Sequence, residues 1–189
     1  MTDTKDRLLA VSLALFSQRG YEGVGVQEIV DTAAVTKPTL YHYFQSKRGL
    51  LEQLLHRGFS PLEQSLIEAA DYHGDLTGSL MQVAGVYFRF IEKNTLFYRF
   101  WMSLLYAPDG SEAAQCAQPL MDRQRAILSR MFAKAGEQHG NMKGREEFYS
   151  ANFLGIINST IHLVMNHQLV LDDGMVYRIL HQFEHGIYS

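Results

Sequence analysis

The residues richest in chemistry form one short run, Lys37 to Lys47, reading KPTLYHYFQSK. It offers ammonium groups at Lys37 and Lys47, phenols at Tyr41 and Tyr43, an imidazole at His42 and a hydroxyl at Thr39. Phenol and imidazole can donate to phosphate oxygens or stack on sugar and thymine methyl groups, and an ammonium neutralises a phosphate. The patterns that carry catalysis are missing: there is no glycine-rich phosphate loop after a strand, no GxSxG elbow and no HExxH. Cys116, the single cysteine, sits in AAQCAQP without a neighbouring base, and it excludes an intramolecular disulfide and every multi-cysteine zinc pattern. His181 and His185 have the i, i+4 spacing of metal ligands, but no third ligand lies near them in sequence. The expectation is a protein without catalytic residues, metal or cofactor.

The elements that must position this run can be read from the spacing of apolar residues. Thr4 to Arg19 places Leu9, Leu13 and Phe16 on one helical stripe, and Gly20 follows as a cap. VQEIVDTA is a two-turn helix with Ile29 and Ala33 facing inward, and Ala34-Val35-Thr36 is a tight connection. The Thr36 hydroxyl can cap the next helix, KPTLYHYF, with Pro38 in its first turn. Leu40 and Phe44, four apart, turn toward Ile29, Val35 and the first helix, leaving Lys37, Thr39, Tyr41, His42 and Tyr43 on other faces. Ser46 offers a cap for a longer helix that opens at Lys47. Two short helices joined by three residues and braced by a preceding helix form a helix-turn-helix, whose second short helix is the one expected in a DNA major groove. The competing reading makes the same aromatics the core of a small three-helix unit, and residue types alone leave both open.

Beyond the head the pattern is helical everywhere, with segments near 47–72, 76–93, 95–106, 112–138, 144–168 and 174–187. Breaks fall at Tyr72-His73-Gly74, Asn94, Ala107-Pro108-Asp109-Gly110, His139-Gly140-Asn141 and Asp172-Asp173-Gly174. The fold class expected is all-α with about nine helices. The divisions are a helix-turn-helix domain over 1–48 and a helical body over 49–189. A net charge of −3 is distributed unevenly: residues 1–50 carry six Lys/Arg against five Asp/Glu, and the remainder eleven against fifteen. A near-neutral head on an acidic body suits docking of one end on phosphate. The start, MTDTKDRLLAV, lacks the apolar core of a signal peptide. The apolar stretch Gly155 to Leu171 contains Asn158, His162, Asn166 and His167, too polar for a bilayer. A cytoplasmic protein with no membrane partner is expected.

The stretch from Gly20-Tyr21-Glu22-Gly23 through VQEIVDTAAVTKPTLYHYFQSKRGLLEQLL resembles the N-terminal domain of the tetracycline repressor-like (TetR) family. The likeness covers about the first fifty residues and is carried most densely by TLYHYFQSK. It implies a homodimer on a palindromic operator of double-stranded DNA, with one recognition helix per half-site, in a transcriptional regulator that by family default represses. By position, Lys37, Pro38, Thr39 and Tyr41 face bases, with Thr36 capping beside them. His42 meets base edges or the adjacent phosphate, Tyr43 and Lys47 grip phosphates, and Gln27 adds a base or backbone contact. Val26 and Ala34 depart from the pattern: Gly25 must then cap the second helix, and Ala34 occupies a turn position where glycine is common.

The resemblance further implies that the body binds a small-molecule effector, here unidentified, that lowers DNA affinity. VYFRFIEKNTLFYRFWMSLLYAP is strongly aromatic, and aromatics with methionines around an interhelical cleft suit such a site. The candidates are Phe100, Trp101, Phe153 and His162, and the same residues also suit plain core. Asn158, His162 and Asn166 share a helix face and need partners, from a ligand or from a second subunit. The final two segments, ending MVYRILHQFEHGIY, resemble the family's dimerising pair. The alternative function is a helical ligand-binding or adaptor protein that keeps the fold without specific DNA binding.

Overall fold

A computed structural model describes residues 3–172 and 174–186. Among them lie eight α-helices, a 3-10 turn at Gly140–Met142 and no strand. The helices are α1 (Thr4–Arg19), α2 (Val26–Thr32), α3 (Lys37–Phe44), α4 (Lys47–Ala69), α5 (Leu76–Leu104), α6 (Glu112–Gln138), α7 (Glu146–Met165) and α8 (Met175–His185). The boundaries expected for α1, α3 and α6 are the observed ones. The break expected at Asn94 is observed as a kink, where Asn94 leaves helical geometry at φ −131°, ψ 32° and divides α5 into two helical stretches, in keeping with the expected count of about nine. The turn expected at Asp172-Asp173-Gly174 is seen at its two flanks; Asp173, and Ile187 and Tyr188 at the end of the last expected segment, lie outside the described residues.

The chain forms two compact units. The first joins Met1–Ser60 to Asn94–Met121, and the second joins Pro61–Lys93 to Asp122–Ser189. In the first, Leu8, Phe16, Ile29, Leu40, Phe44 and Leu50 are sealed from water under the helix-turn-helix. Below them Phe59 stacks on Trp101 at 5.0 Å and Trp101 on Phe97 at 6.3 Å. Gly58 permits this approach: a methyl built there would fall inside the Phe97 ring. In the second unit Phe132, Phe153 and Phe183 form an aromatic cluster, with Phe153 and Phe183 centroids 5.1 Å apart. Its buried polar groups are paired, as burial requires: the Gln124 amide donates to the Tyr87 hydroxyl at 2.7 Å, and the Ser129 hydroxyl to Glu147 at 2.8 Å.

α4, α5 and α6 each continue from one unit into the other, and each carries a helix-weakening residue at or near its crossing: Pro61, Asn94 and Pro119. No helix of the described residues is long and apolar enough to cross a membrane.

Candidate nucleic-acid interface

Local chemistry fixes where α3 begins. Asp31 and Val30 end α2 in a Schellman arrangement: the Ala34 N–H donates to the Asp31 carbonyl at 3.1 Å and the Val35 N–H to the Val30 carbonyl at 2.9 Å. That motif needs a left-handed residue, and Ala34 supplies it at φ 50°, without the ease of glycine. Thr36, extended at φ −100°, then caps α3, its hydroxyl accepting from the Thr39 N–H at 3.4 Å and lying 2.9 Å from the Thr39 hydroxyl. Gly25 caps α2 with backbone alone, as the Val26 departure requires.

The end of α3 is fixed as tightly. Gln45 turns the chain at φ 64°, its N–H bonded to the Tyr41 carbonyl at 2.9 Å. The Ser46 hydroxyl accepts from the Gly49 N–H at 2.9 Å to start α4. Gly49 lies so close to the last carbonyl of α3, that of Phe44, that any Cβ there would overlap the oxygen. The Gln53 amide donates to the Tyr43 carbonyl at 3.3 Å from the next turn of α4. Leu40 and Phe44 are buried beneath, so α3 is keyed from below and clamped at both ends.

What remains outside is the expected face. Gln27, Thr36, Lys37, Pro38, Tyr41 and His42 are exposed, and Thr39, Tyr43 and Lys47 are half-exposed. Tyr41 keeps 45% of its surface in water although it is a large aromatic. His42 and Tyr43 meet edge to face at 5.2 Å, which stiffens both rings. Between Asp31 and Glu52 there is no acidic side chain, while Lys37, Lys47 and Arg48 contribute positive charge. That local excess suits a polyanion although the whole chain is acidic.

Besides Thr36 and Thr39, whose hydroxyls meet each other, two further expected contacts are already engaged within the chain. The Gln27 amide donates to Asp31 on its own helix at 2.7 Å. The Lys47 ammonium donates to the Tyr21 carbonyl at 2.7 Å and stands 3.9 Å from the centre of the Tyr21 ring. Burial holds its pKa below the ordinary lysine range. Lys47 therefore anchors the loop after α1 as well as bordering the exposed face. Tyr21 is in turn tied to the start of α6, its hydroxyl donating to Glu112 at 2.6 Å, and burial with that carboxylate raises the phenol's pKa. Arg48 reaches Gln115 of α6 at 2.9 Å. Sequence reading missed Tyr21 and Gly49, since their partners are set by the tertiary fold and leave no periodic trace.

The four effector candidates fall in separate surroundings. Phe100 and Trp101 are buried in the first unit, Phe100 against Phe16 at 5.8 Å and Trp101 in its stack. Phe153 is buried in the aromatic cluster of the second unit. His162 is on the opposite side of the same helix, exposed and 3.0 Å from the Asn166 amide, so these two polar side chains serve each other. Among the described residues no group of three or more His, Cys, Asp or Glu is arranged to hold a metal; the His181 and His185 rings lie 4.9 Å apart.

The family model for bacterial regulatory proteins of the tetR family matches residues 8–54, the stretch that builds this head. The chain is 32% identical over 113 residues to the HTH-type transcriptional activator FasR of Mycolicibacterium smegmatis, an alignment over 60% of this chain and 52% of FasR. It is 29% identical over 133 residues to the HTH-type transcriptional repressor KstR of Mycobacterium tuberculosis, over 70% of this chain and 58% of KstR. The match thus spans little more than half the length of these relatives. The fold is similar from end to end to that of the Bacillus subtilis transcriptional regulator FadR solved with stearoyl-CoA, at a TM-score of 0.77 and 19% identity over 96% of this chain and 98% of that one. Such distant identity is a likeness of fold. The head, residues 8–54, thus matches the tetR family of bacterial regulatory proteins in sequence, and the chain as a whole is similar to the FadR regulator in fold.

Proposed function

We propose that the chain is a cytoplasmic transcriptional regulator that binds a palindromic operator in double-stranded DNA as a homodimer, and a repressor that a small-molecule effector releases. The observation that carries this reading is α3 itself: a helix keyed by Leu40 and Phe44 and clamped at both ends holds Lys37, Thr39, Tyr41 and His42 outward, in a stretch with no acidic residue between Asp31 and Glu52. Within 1–48, Lys37, Pro38, Thr39 and Tyr41 read bases, supported by Thr36 and Gln27, while His42, Tyr43 and Lys47 border the phosphates. Residues 49–189 carry effector binding and dimerisation.

Dimerisation through α7 and α8 is supported by composition. From Phe148 to Leu171 there is no Asp, Glu, Lys or Arg. The outward side of α7 consists of Phe148, Ala151, Gly155, Ser159, His162 and Asn166, all exposed in the single chain. An uncharged exposed helix face with small residues at its centre suits close packing against its own copy about a two-fold axis. Two α3 helices must then stand about 34–36 Å apart to enter successive major grooves. An effector that favours a conformation with another spacing lowers operator affinity by its differential binding. The route is covalent: α6, whose first turn is bonded to Tyr21, continues past Pro119 into the second unit. Phe100, Trp101, Phe153 and His162 are the effector contacts to test.

The experiment is selection of sites from random DNA with the purified chain, followed by titration at several salt concentrations. A palindromic consensus whose preference over random DNA survives added salt is expected. Lys37→Ala should change base preference, whereas Tyr43→Phe should weaken all sequences alike. A chain that selects no sequence and binds only through the salt-sensitive term is an adaptor on the same fold, and the reading fails. Stearoyl-CoA, present in the FadR structure, is the first effector to add to the operator complex.

A further inference from the structure

We propose that a cavity within the second unit is a binding site for a small organic cation with an apolar body. The cavity has a volume of about 410 Å³, in the range that holds small molecules. It opens between the first turns of α5, the C-terminal half of α6, the 3-10 turn, α7 and α8. Leu76 and Leu80 form one wall, Met142 another, and the rings of Phe132, Tyr149 and Phe183 a third. Phe132 stands 5.7 Å from Tyr149 and 6.2 Å from Phe183, so the rings form a continuous aromatic lining. Phe148 borders the opening, edge to face with Tyr149 at 6.4 Å.

Charge selects the class of ligand. The lining contains no Lys, Arg or His, and Glu184 is its one carboxylate. That carboxylate is held in place by the Thr77 hydroxyl, which donates to it at 2.6 Å. Among the described residues no ammonium or guanidinium pairs with Glu184. Aromatic faces carry negative potential and attract a cation within about 6 Å of the ring centre. Rings and carboxylate therefore act in the same direction: an alkylammonium or quaternary ammonium group is favoured, and a carboxylate or phosphate headgroup is repelled. Asn152 and Gln182 at the rim add neutral hydrogen-bonding groups. The site stands whether or not its occupant alters DNA binding.

The test is calorimetric titration of the full chain with octyltrimethylammonium, octanoate and 1-octanol, which share a tail and differ in head charge. Saturable binding of the cation at one per chain is expected, with octanoate at least about tenfold weaker. Glu184→Lys, a change at an exposed residue, should reverse the order of cation and anion while leaving octanol unchanged. Met142→Trp should fill the cavity and abolish binding of all three, with thermal melting checked in parallel. If Met142→Trp does not fold, the Glu184→Lys reversal decides alone. Octanoate binding as tightly as the cation to the natural chain, or an order unchanged in Glu184→Lys, overturns the proposal.

Discussion

Replacing Gly49 by alanine isolates the step from packing to recognition. The added methyl would overlap the carbonyl oxygen of Phe44, a backbone atom that no rotamer change can move. Restoring van der Waals distance requires the end of α3 and the first turn of α4 to part by on the order of 1 Å. Overpacking of this kind costs roughly 1–3 kcal/mol, and alanine returns about 1 kcal/mol over glycine in a helix interior. A net loss of up to about 2 kcal/mol is expected, seen as a fall in melting temperature of at most roughly 8 °C for a chain of this length. The larger effect should be on DNA. Tyr41, His42 and Tyr43 lie in the displaced turn, and each good bidentate base contact is worth about 1–3 kcal/mol. Operator affinity should fall by about tenfold or more, beyond what lost stability explains at 25 °C. Far-ultraviolet circular dichroism gives the first quantity and fluorescence anisotropy with the selected operator the second. A Gly49→Ala chain that melts with the natural one and binds its operator unchanged refutes the account of how α3 is held.

Ala34→Gly should act in the opposite direction, because the left-handed Ala34 is exposed and loses no burial. Relief of left-handed strain, roughly 1–2 kcal/mol, less the greater freedom of glycine in the unfolded chain, roughly 0.4–1 kcal/mol, leaves a gain of up to about 1.6 kcal/mol of stability in a thermal melt. A lower melting temperature would show that the turn is unstrained. Cys116 is buried beside Glu52, and that environment pushes its thiol up to about 11 from an ordinary 9.0. A folded pKa above the unfolded one gives stability that is complete below about pH 9 and is lost as pH rises toward 11. Wild-type stability should thus fall more steeply over that alkaline window than that of Cys116→Ala, and iodoacetamide at pH 8 should modify the folded chain about tenfold more slowly than the unfolded one. Parallel pH profiles, or equal alkylation rates, would place the thiol in a different environment.

The head was legible because its determinants are local. Thr36 caps three residues ahead, Leu40 and Phe44 repeat at helical spacing, and the Ala34 turn depends on one dihedral. The ties that orient the head span long separations, from Lys47 back to Tyr21 and from Tyr21 to Glu112. Residue types do not announce such partners. The division into two units was hidden for a related reason: α4 and α6 continue as helices from one unit into the next, and only the Asn94 break in α5 marks a crossing in the sequence. The aromatic body was the least readable. Phe100 and Trp101 are sealed in the core, whereas Phe132 and Phe183 face a cavity, and the same ring chemistry serves both.

Trp101 is the chain's only tryptophan, and it is stacked with Phe59 and with Phe97. Nature has thereby installed an optical probe at a single address. Its emission follows the opening of the core beneath the helix-turn-helix, while amide absorption averages over every helix. Comparing the two signals during denaturation separates the melting of one half of the molecule from that of the other without any label.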